Sequence, residues 1–187
     1  MKKLYPILFV IAAIFAASST VGAQMMKENP MVGGAAMYPT KTIVANAMNS
    51  ADHTTLVAAV KAAGLVDTLN SKGPFTVFAP TNAAFEQLPA GTVEMLLKPE
   101  NKDVLTKVLT YHVVAGKYDS KSLAKLINKG KGKAWLKTVS GGNLTATMDG
   151  DRIVLRDEKG GTSTVTTADV YQSNGVIHVV NAVLMPN

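Results

Sequence analysis

The chain has no cysteine, which excludes disulfides, thiolate metal sites and cysteine-nucleophile chemistry. Histidine is nearly as scarce. His53, His112 and His178 are the only three, and none stands in a His-Glu-x-x-His zinc pattern. There is no Gly-x-Ser-x-Gly elbow for a hydrolase. Gly130-Lys131-Gly132 lacks the Gly-Lys-Ser/Thr end of a phosphate loop. No two carboxylates stand out as an acid/base pair, because Asp149 and Asp151 flank a turn glycine and read as hairpin residues. These absences argue against an enzyme, and no cofactor or metal is expected. Aromatic residues make up 6% of the chain and include one tryptophan, Trp135, so a stacking platform for nucleic acid is not expected. Beyond the first 23 residues no apolar run approaches the roughly 20 residues of a membrane span.

The start of the chain has a different character. Lys2 and Lys3 precede an almost wholly apolar run over residues 4–17. Small residues follow and end in Val21-Gly22-Ala23 before Gln24. This order reads as a secretory signal over residues 1–23, and no cysteine follows the cleavage site to take a lipid anchor. Loss of Lys2 and Lys3 leaves 17 basic and 13 acidic side chains, a mild net +4 that is no nucleic-acid footprint. The expected location is secreted, periplasmic or cell-surface. A mature chain of this length makes one domain with a core stabilised by packing alone.

Residues 24–39 carry Pro30, Gly33, Gly34 and Pro39 with no period and read as a flexible N-terminal arm. From Lys41 the pattern is helical. Asp52 is positioned to cap a helix with Leu56, Val57, Val60 and Ala63 as its apolar stripe, and Gly64 is placed to stop it. Residues 75–79 read as a buried strand, Thr81 as the cap of a short helix holding Phe85 and Leu88, and residues 111–114 as a second strand. A further helix is expected over 120–127. After Lys133 strands dominate, with Asp149-Gly150 as a hairpin signal. Residues 175–185 are apolar on both parities and read as a central strand. A helical first half and a β-rich second half predict an α+β domain.

Three stretches carry a family resemblance. They are residues 76–85 (TVFAPTNAAF), Tyr111-His112-Val113-Val114 with Gly116, and residues 174–181 (NGVIHVVN) ending in Leu184-Met185-Pro186. In this order and spacing they resemble the fasciclin domain, over residues 40–186. The resemblance implies a twisted antiparallel β-wedge packed with helices. It also implies a secreted or surface-attached binding and cell-adhesion module in the extracellular matrix or envelope. Its partner would be an envelope or matrix protein or polysaccharide, with weak self-association as a further expectation. Some relatives bind carotenoids, so the alternative function is a carrier of an apolar small molecule. Nine methionines would suit adaptable apolar contacts, but Met1, Met25, Met26 and Met31 lie in the signal or arm.

The resemblance also points to residues. Its binding candidates are Tyr111 and His112, and the Asp169-Val170-Tyr171 stretch just ahead of the NGVIH motif. Its structural set is Thr81, Asn82, Phe85, His178 and Asn181. The residues themselves read blandly: His112 and His178 sit in apolar surroundings, where a buried imidazole must have hydrogen-bond partners. Asn101-Lys102-Asp103-Val104-Leu105 looks like an integrin motif but lies in the wrong place, on a helix ahead of Tyr111. The chain has no Arg-Gly-Asp. Lys125, Lys129, Lys131 and Lys133 form a candidate anion patch between Lys121 and Lys137, although a solvated helix end and loop is the preferred reading.

Overall fold

A computed structural model describes residues 29–187. The expected signal and residues 24–28 of the expected arm lie outside the described residues.

Among the described residues there are seven short α-helices, all before residue 130, and seven strands, five of them after it. The helices are α1 (Ile43–Ala47), α2 (Thr54–Ala63), α3 (Val66–Asn70), α4 (Asn82–Glu86), α5 (Thr92–Leu96), α6 (Lys102–Tyr111) and α7 (Ser120–Lys129). The strands are β1 (Phe75–Pro80), β2 (Val113–Ala115), β3 (Ala134–Lys137), β4 (Asn143–Asp149), β5 (Arg152–Arg156), β6 (Thr162–Gln172) and β7 (Gly175–Val180). They form one sheet in the order β2-β1-β7-β6-β5-β4-β3. Its two ends curl together: Val114 bridges Thr138, and the Val139 amide donates to the Val113 carbonyl at 2.8 Å. The fold is the expected α+β wedge, closed nearly into a barrel. Neighbouring strands run antiparallel except β1 and β7, which are parallel from Phe75↔Gly175 to Pro80↔Val180. Two strands so far apart in sequence need not form a hairpin, and the intervening chain supplies the crossover.

Because successive side chains of a strand point to opposite faces, β1 and β7 serve two cores. Val77, Ala79, Ile177 and Val179 face the helical layer of Ile43, Leu56, Val60, Leu105 and Leu109. Phe78 and Val180 face the other way, toward Tyr111, Leu144, Leu155 and the α7 residues Leu123 and Ile127. Each fully buried Leu or Ile contributes about 1.5–3 kcal/mol. At Gly175 the two central backbones approach so closely that an added Cβ would run into the Phe75 carbonyl.

Local signals account for much of the helical layer. The Thr81 hydroxyl accepts from the Ala84 amide at 3.3 Å, and Gly64 closes α2 at φ 72°. Asp52, expected as the cap of α2, instead lies in a 3-10 turn over Ala51–His53 and makes no cap. The neighbouring helix does that work. Asn82 Oδ1 accepts from the Thr55 amide at 3.0 Å and the Thr54 hydroxyl at 3.2 Å, while its Nδ2 donates to the Ala51 carbonyl. Two further expectations are corrected. Tyr111 ends α6 and His112 is its C-cap, so the strand begins only at Val113. From Asn29 onward the expected arm is docked. Val32 and Met37 are buried, the Gly33 carbonyl accepts from the Ala51 amide, and Asn46 pairs with both backbone groups of Tyr38.

Candidate functional site

The residues singled out in sequence fall at two junctions. At the first, α6 gives way to β2. Tyr111 is fully buried, and its hydroxyl donates to the Asn143 carbonyl at 2.7 Å and accepts from the Glu158 amide at 3.2 Å. Burial pushes its phenol up to about 12. His112 Nδ1 donates to the Val108 carbonyl at 2.9 Å, and Nε2 accepts from the Leu184 amide at 3.0 Å. Those partners fix the neutral Nδ1–H tautomer, and burial lowers the imidazole to about 4.

At the second junction β6 bends past the start of α7. Asp169 takes a left-handed backbone, φ 61°, where β6 changes register against β7. Its carboxylate accepts from both the Ser120 amide and the Ser120 hydroxyl at 2.7 Å. Its amide approaches His178 Nδ1 at 3.4 Å, and His178 Nε2 donates to the Tyr118 carbonyl at 2.8 Å. His178 is therefore the neutral Nε2–H tautomer, lowered from its ordinary value chiefly by burial and stacked on Phe78 at 5.7 Å. Asp119 caps α7 through the Ser122 amide, and those Ser122 hydrogen bonds hold its carboxyl below the usual range. Lys117 Nζ lies 5.0 Å from the Tyr171 ring. Burial, then the charges of Asp169 and Asp119, push the Tyr171 phenol up.

Both junctions converge on Phe78, in the core and not on a surface. Its amide bonds the His112 carbonyl and its ring stacks on His178. The Asp169 carboxylate is half-buried, and each of its oxygens accepts one bond from Ser120. Val170 is buried. The free side of β6 at Tyr171 is taken by Asn29, which accepts from the Tyr171 amide at 2.8 Å and donates to its carbonyl at 2.6 Å. Asn181 Oδ1 accepts from the Thr164 amide, and Phe85 is buried. Asn174, which the sequence marks only as the first residue of the NGVIHVVN stretch, ties α1 and α3 to the β6–β7 turn: it accepts from the Ile43 amide and donates to the Leu69 and Ser71 carbonyls. An Asn-Gly pair ahead of an apolar strand was the one signal that could have marked it.

The features that remain open to solvent are different ones. Lys125, Lys129, Lys131 and Lys133 are exposed, and the one ion pair among the described residues is Lys98–Glu100 at 4.0 Å. Trp135 is 74% exposed. A cleft of about 420 Å³ with a mixed lining opens where β6 leaves β5, bounded by Ser120, Asp151, Arg152, Thr164, Thr166 and Asn181 and by the apolar Ile153, Val165 and Ala168. Between the helices and β1 lies an apolar cavity of about 60 Å³, with Val57, Val60, Leu65, Leu109 and Ile177 in its lining. Among the described residues no cluster of three or more His, Asp or Glu could hold a metal ion, and no helix is long and apolar enough to cross a membrane.

This is a nearly closed, helix-braced β-wedge whose motif residues are spent on holding it together. The fasciclin-domain profile matches residues 51–186, and the chain belongs to that family. Protein sll1483 of Synechocystis is 47% identical over 160 residues, which cover 86% of this chain and 82% of that protein. The cell surface glycolipoprotein MPB83 of Mycobacterium bovis is 33% identical over 173 residues, 88% of this chain and 70% of that one. In structure, the domain pair from the insect cell adhesion molecule Fasciclin I superposes with a TM-score of 0.68 at 20% identity, over 78% of this chain and 51% of that one.

Proposed function

We propose that the protein is a secreted, non-enzymatic binding module of the cell-adhesion type. It acts at the cell surface or in the extracellular matrix on an envelope or matrix protein or polysaccharide. The observation that carries this reading is the fate of the motif residues. Tyr111, His112, Asp169 and His178 have their hydrogen-bonding atoms committed inside the fold. Two buried neutral imidazoles with both nitrogens partnered make poor general bases. What is left to meet another molecule is a rigid surface. The similarity to MPB83, a cell surface glycolipoprotein, supports the location.

The test is retention of a partner. Immobilised residues 24–187 should capture a component of an envelope extract saturably, and free domain should compete it away. Capture that does not saturate or is not competed would overturn the reading. Location has its own measurement. Intact mass of the envelope or medium fraction should give a chain beginning at Gln24, whereas a cytoplasmic product retaining Met1 would defeat the export assignment.

A second reading, a carrier of an apolar small molecule such as a carotenoid, is supported by the lining of the cavity under α2 and α3. Size weighs against it. About 60 Å³ falls well short of the roughly 300–1,000 Å³ of small-molecule pockets, so a ligand would have to part helices from the sheet. A pigment-like absorbance that co-purifies with the protein in stoichiometric amount would reverse this order.

A further inference from the structure

The register of the second half of the sheet aligns side chains that are far apart in sequence. Trp135 pairs with Thr145, Thr145 with Arg156, and Arg156 with Thr162, so these four form one transverse row. The parallel row is Thr147, Val154 and Thr164, and Asn181 joins its end through the Thr164 amide. Lys137 lies opposite Asn143, and Arg152 opposite Asp149. The alternate residues, Leu136, Leu144, Ala146, Ile153 and Leu155, are buried in the core that α7 covers. The Trp135 rows therefore face outward, where Lys137, Asn143, Arg152, Arg156 and Thr162 are exposed.

We infer that this outer face, from Trp135 across Arg156 to the cleft at Arg152 and Thr164, binds a chain of acidic polysaccharide. The inference rests on the binding-module reading and names its ligand class and surface. Composition sets the class. A protein partner would call for an apolar centre of several large side chains, whereas the open strand face carries only Trp135 and Val154, and Ile153, Val165 and Ala168 lie within the cleft. Single-stranded nucleic acid would call for successive aromatics along a basic groove, and there is one aromatic. A sugar needs what is present. A rigid exposed indole can stack on the apolar face of a pyranose, and Thr and Asn side chains can exchange hydrogen bonds with its hydroxyls. The guanidinium of Arg156 lies on a strand two steps from Trp135, about 10 Å at the usual strand spacing, and is suited to bidentate contact with a uronate carboxylate. Lys137 adds a second cation, two residues along the strand from Trp135. At about 420 Å³ the cleft has the volume of a ligand site, and Asp151 is its one acidic lining residue, next in sequence to Arg152. The other acids, Asp149 and Glu158, sit at opposite ends of the face: Asp149 lies opposite Arg152 in the strand register, and Glu158 accepts from the Asn143 amide.

Binding should be measured calorimetrically on residues 24–187, with polygalacturonate, neutral dextran of matched length and single-stranded DNA as probes, at low and high salt. Polygalacturonate should bind, dextran far more weakly, and salt should weaken the interaction. Trp135→Ala and Arg156→Glu should each reduce affinity by about tenfold or more. Neither should change the melting temperature, because both side chains are exposed. Lys125→Glu with Lys129→Glu, on the far side of α7, should leave affinity intact. Equal binding of dextran, stronger binding of DNA, or loss only in the α7 variant would overturn the assignment. Saturable capture of an envelope protein without polygalacturonate binding sinks this inference and leaves the binding-module reading standing. Failure of both measurements sinks both.

Discussion

His178→Ala should lower the melting temperature by roughly 10 °C. The substitution removes the acceptor facing the Asp169 amide, the donor to the Tyr118 carbonyl and the ring stacked on Phe78. Each buried polar group left without a partner costs about 1–3 kcal/mol, and the vacated volume adds to it. In a domain of this size each kcal/mol is worth about 2–4 °C. The loss should also loosen the start of α7, because Asp169 holds both its left-handed backbone and Ser120. His178→Asn, which retains one donor and one acceptor, should recover part of the loss. Full stability in the alanine variant, with loss of a ligand or metal instead, would show that His178 is a binding residue and not a structural one.

Acid should begin to destabilise the domain above the range in which ordinary carboxylates titrate. His112 is lowered from 6.5 to about 4 by burial, and His53 and His178 are lowered in the same direction by the same cause. The unfolded chain takes up these protons near pH 6.5 and the folded chain does not, so the stability they contribute is complete above 6.5. It is lost as the pH falls from there toward 4. For His112 alone the loss comes to about 3 kcal/mol across that window. Asp119 acts lower down: its carboxyl is held below the usual range, so its contribution is lost only beneath the ordinary carboxylate value. Denaturant titrations at pH 7.5 and 4.5 would measure the effect. His112→Gln should flatten the profile, and an unfolding free energy that does not change between the two pH values would refute the account.

Signals confined to a few neighbouring residues were legible in the sequence. Thr81 caps, Gly64 stops a helix, Asp149-Gly150 turns a hairpin, and α7 shows the one-turn spacing of Leu123 and Ile127. Misreadings arose where a distant partner decided the outcome. Asp52 has the sequence position of a cap, but Asn82, 30 positions on, takes the Thr55 amide and the Thr54 hydroxyl instead. Tyr111-His112-Val113-Val114 has the composition of a strand, but the carbonyls of Val108 and Asn143 draw its first two side chains to a helix end. Asp169 has the look of an exposed acid, and only Ser120, 49 residues away, shows its carboxylate to be occupied. Residues 29–39 have no period because their docking depends on single contacts, Asn29 on Tyr171 and Asn46 on Tyr38. The Trp135 face could not be read along the chain at all, since it exists only when three strand registers are set.

The parallel pairing of β1 with β7 has a kinetic consequence. These strands divide the two cores and face both, yet 100 residues separate Phe75 from its partner Gly175. Neither core can close until the last strand has been made and delivered, so the loop-closure entropy must be met before most of the burial is gained. A chain arrested short of residue 175 keeps α7 against β3, β4 and β5 but lacks the strand that both cores share. Completion of either core is therefore expected to wait on the final strand, so a chain truncated before residue 175 should not unfold cooperatively.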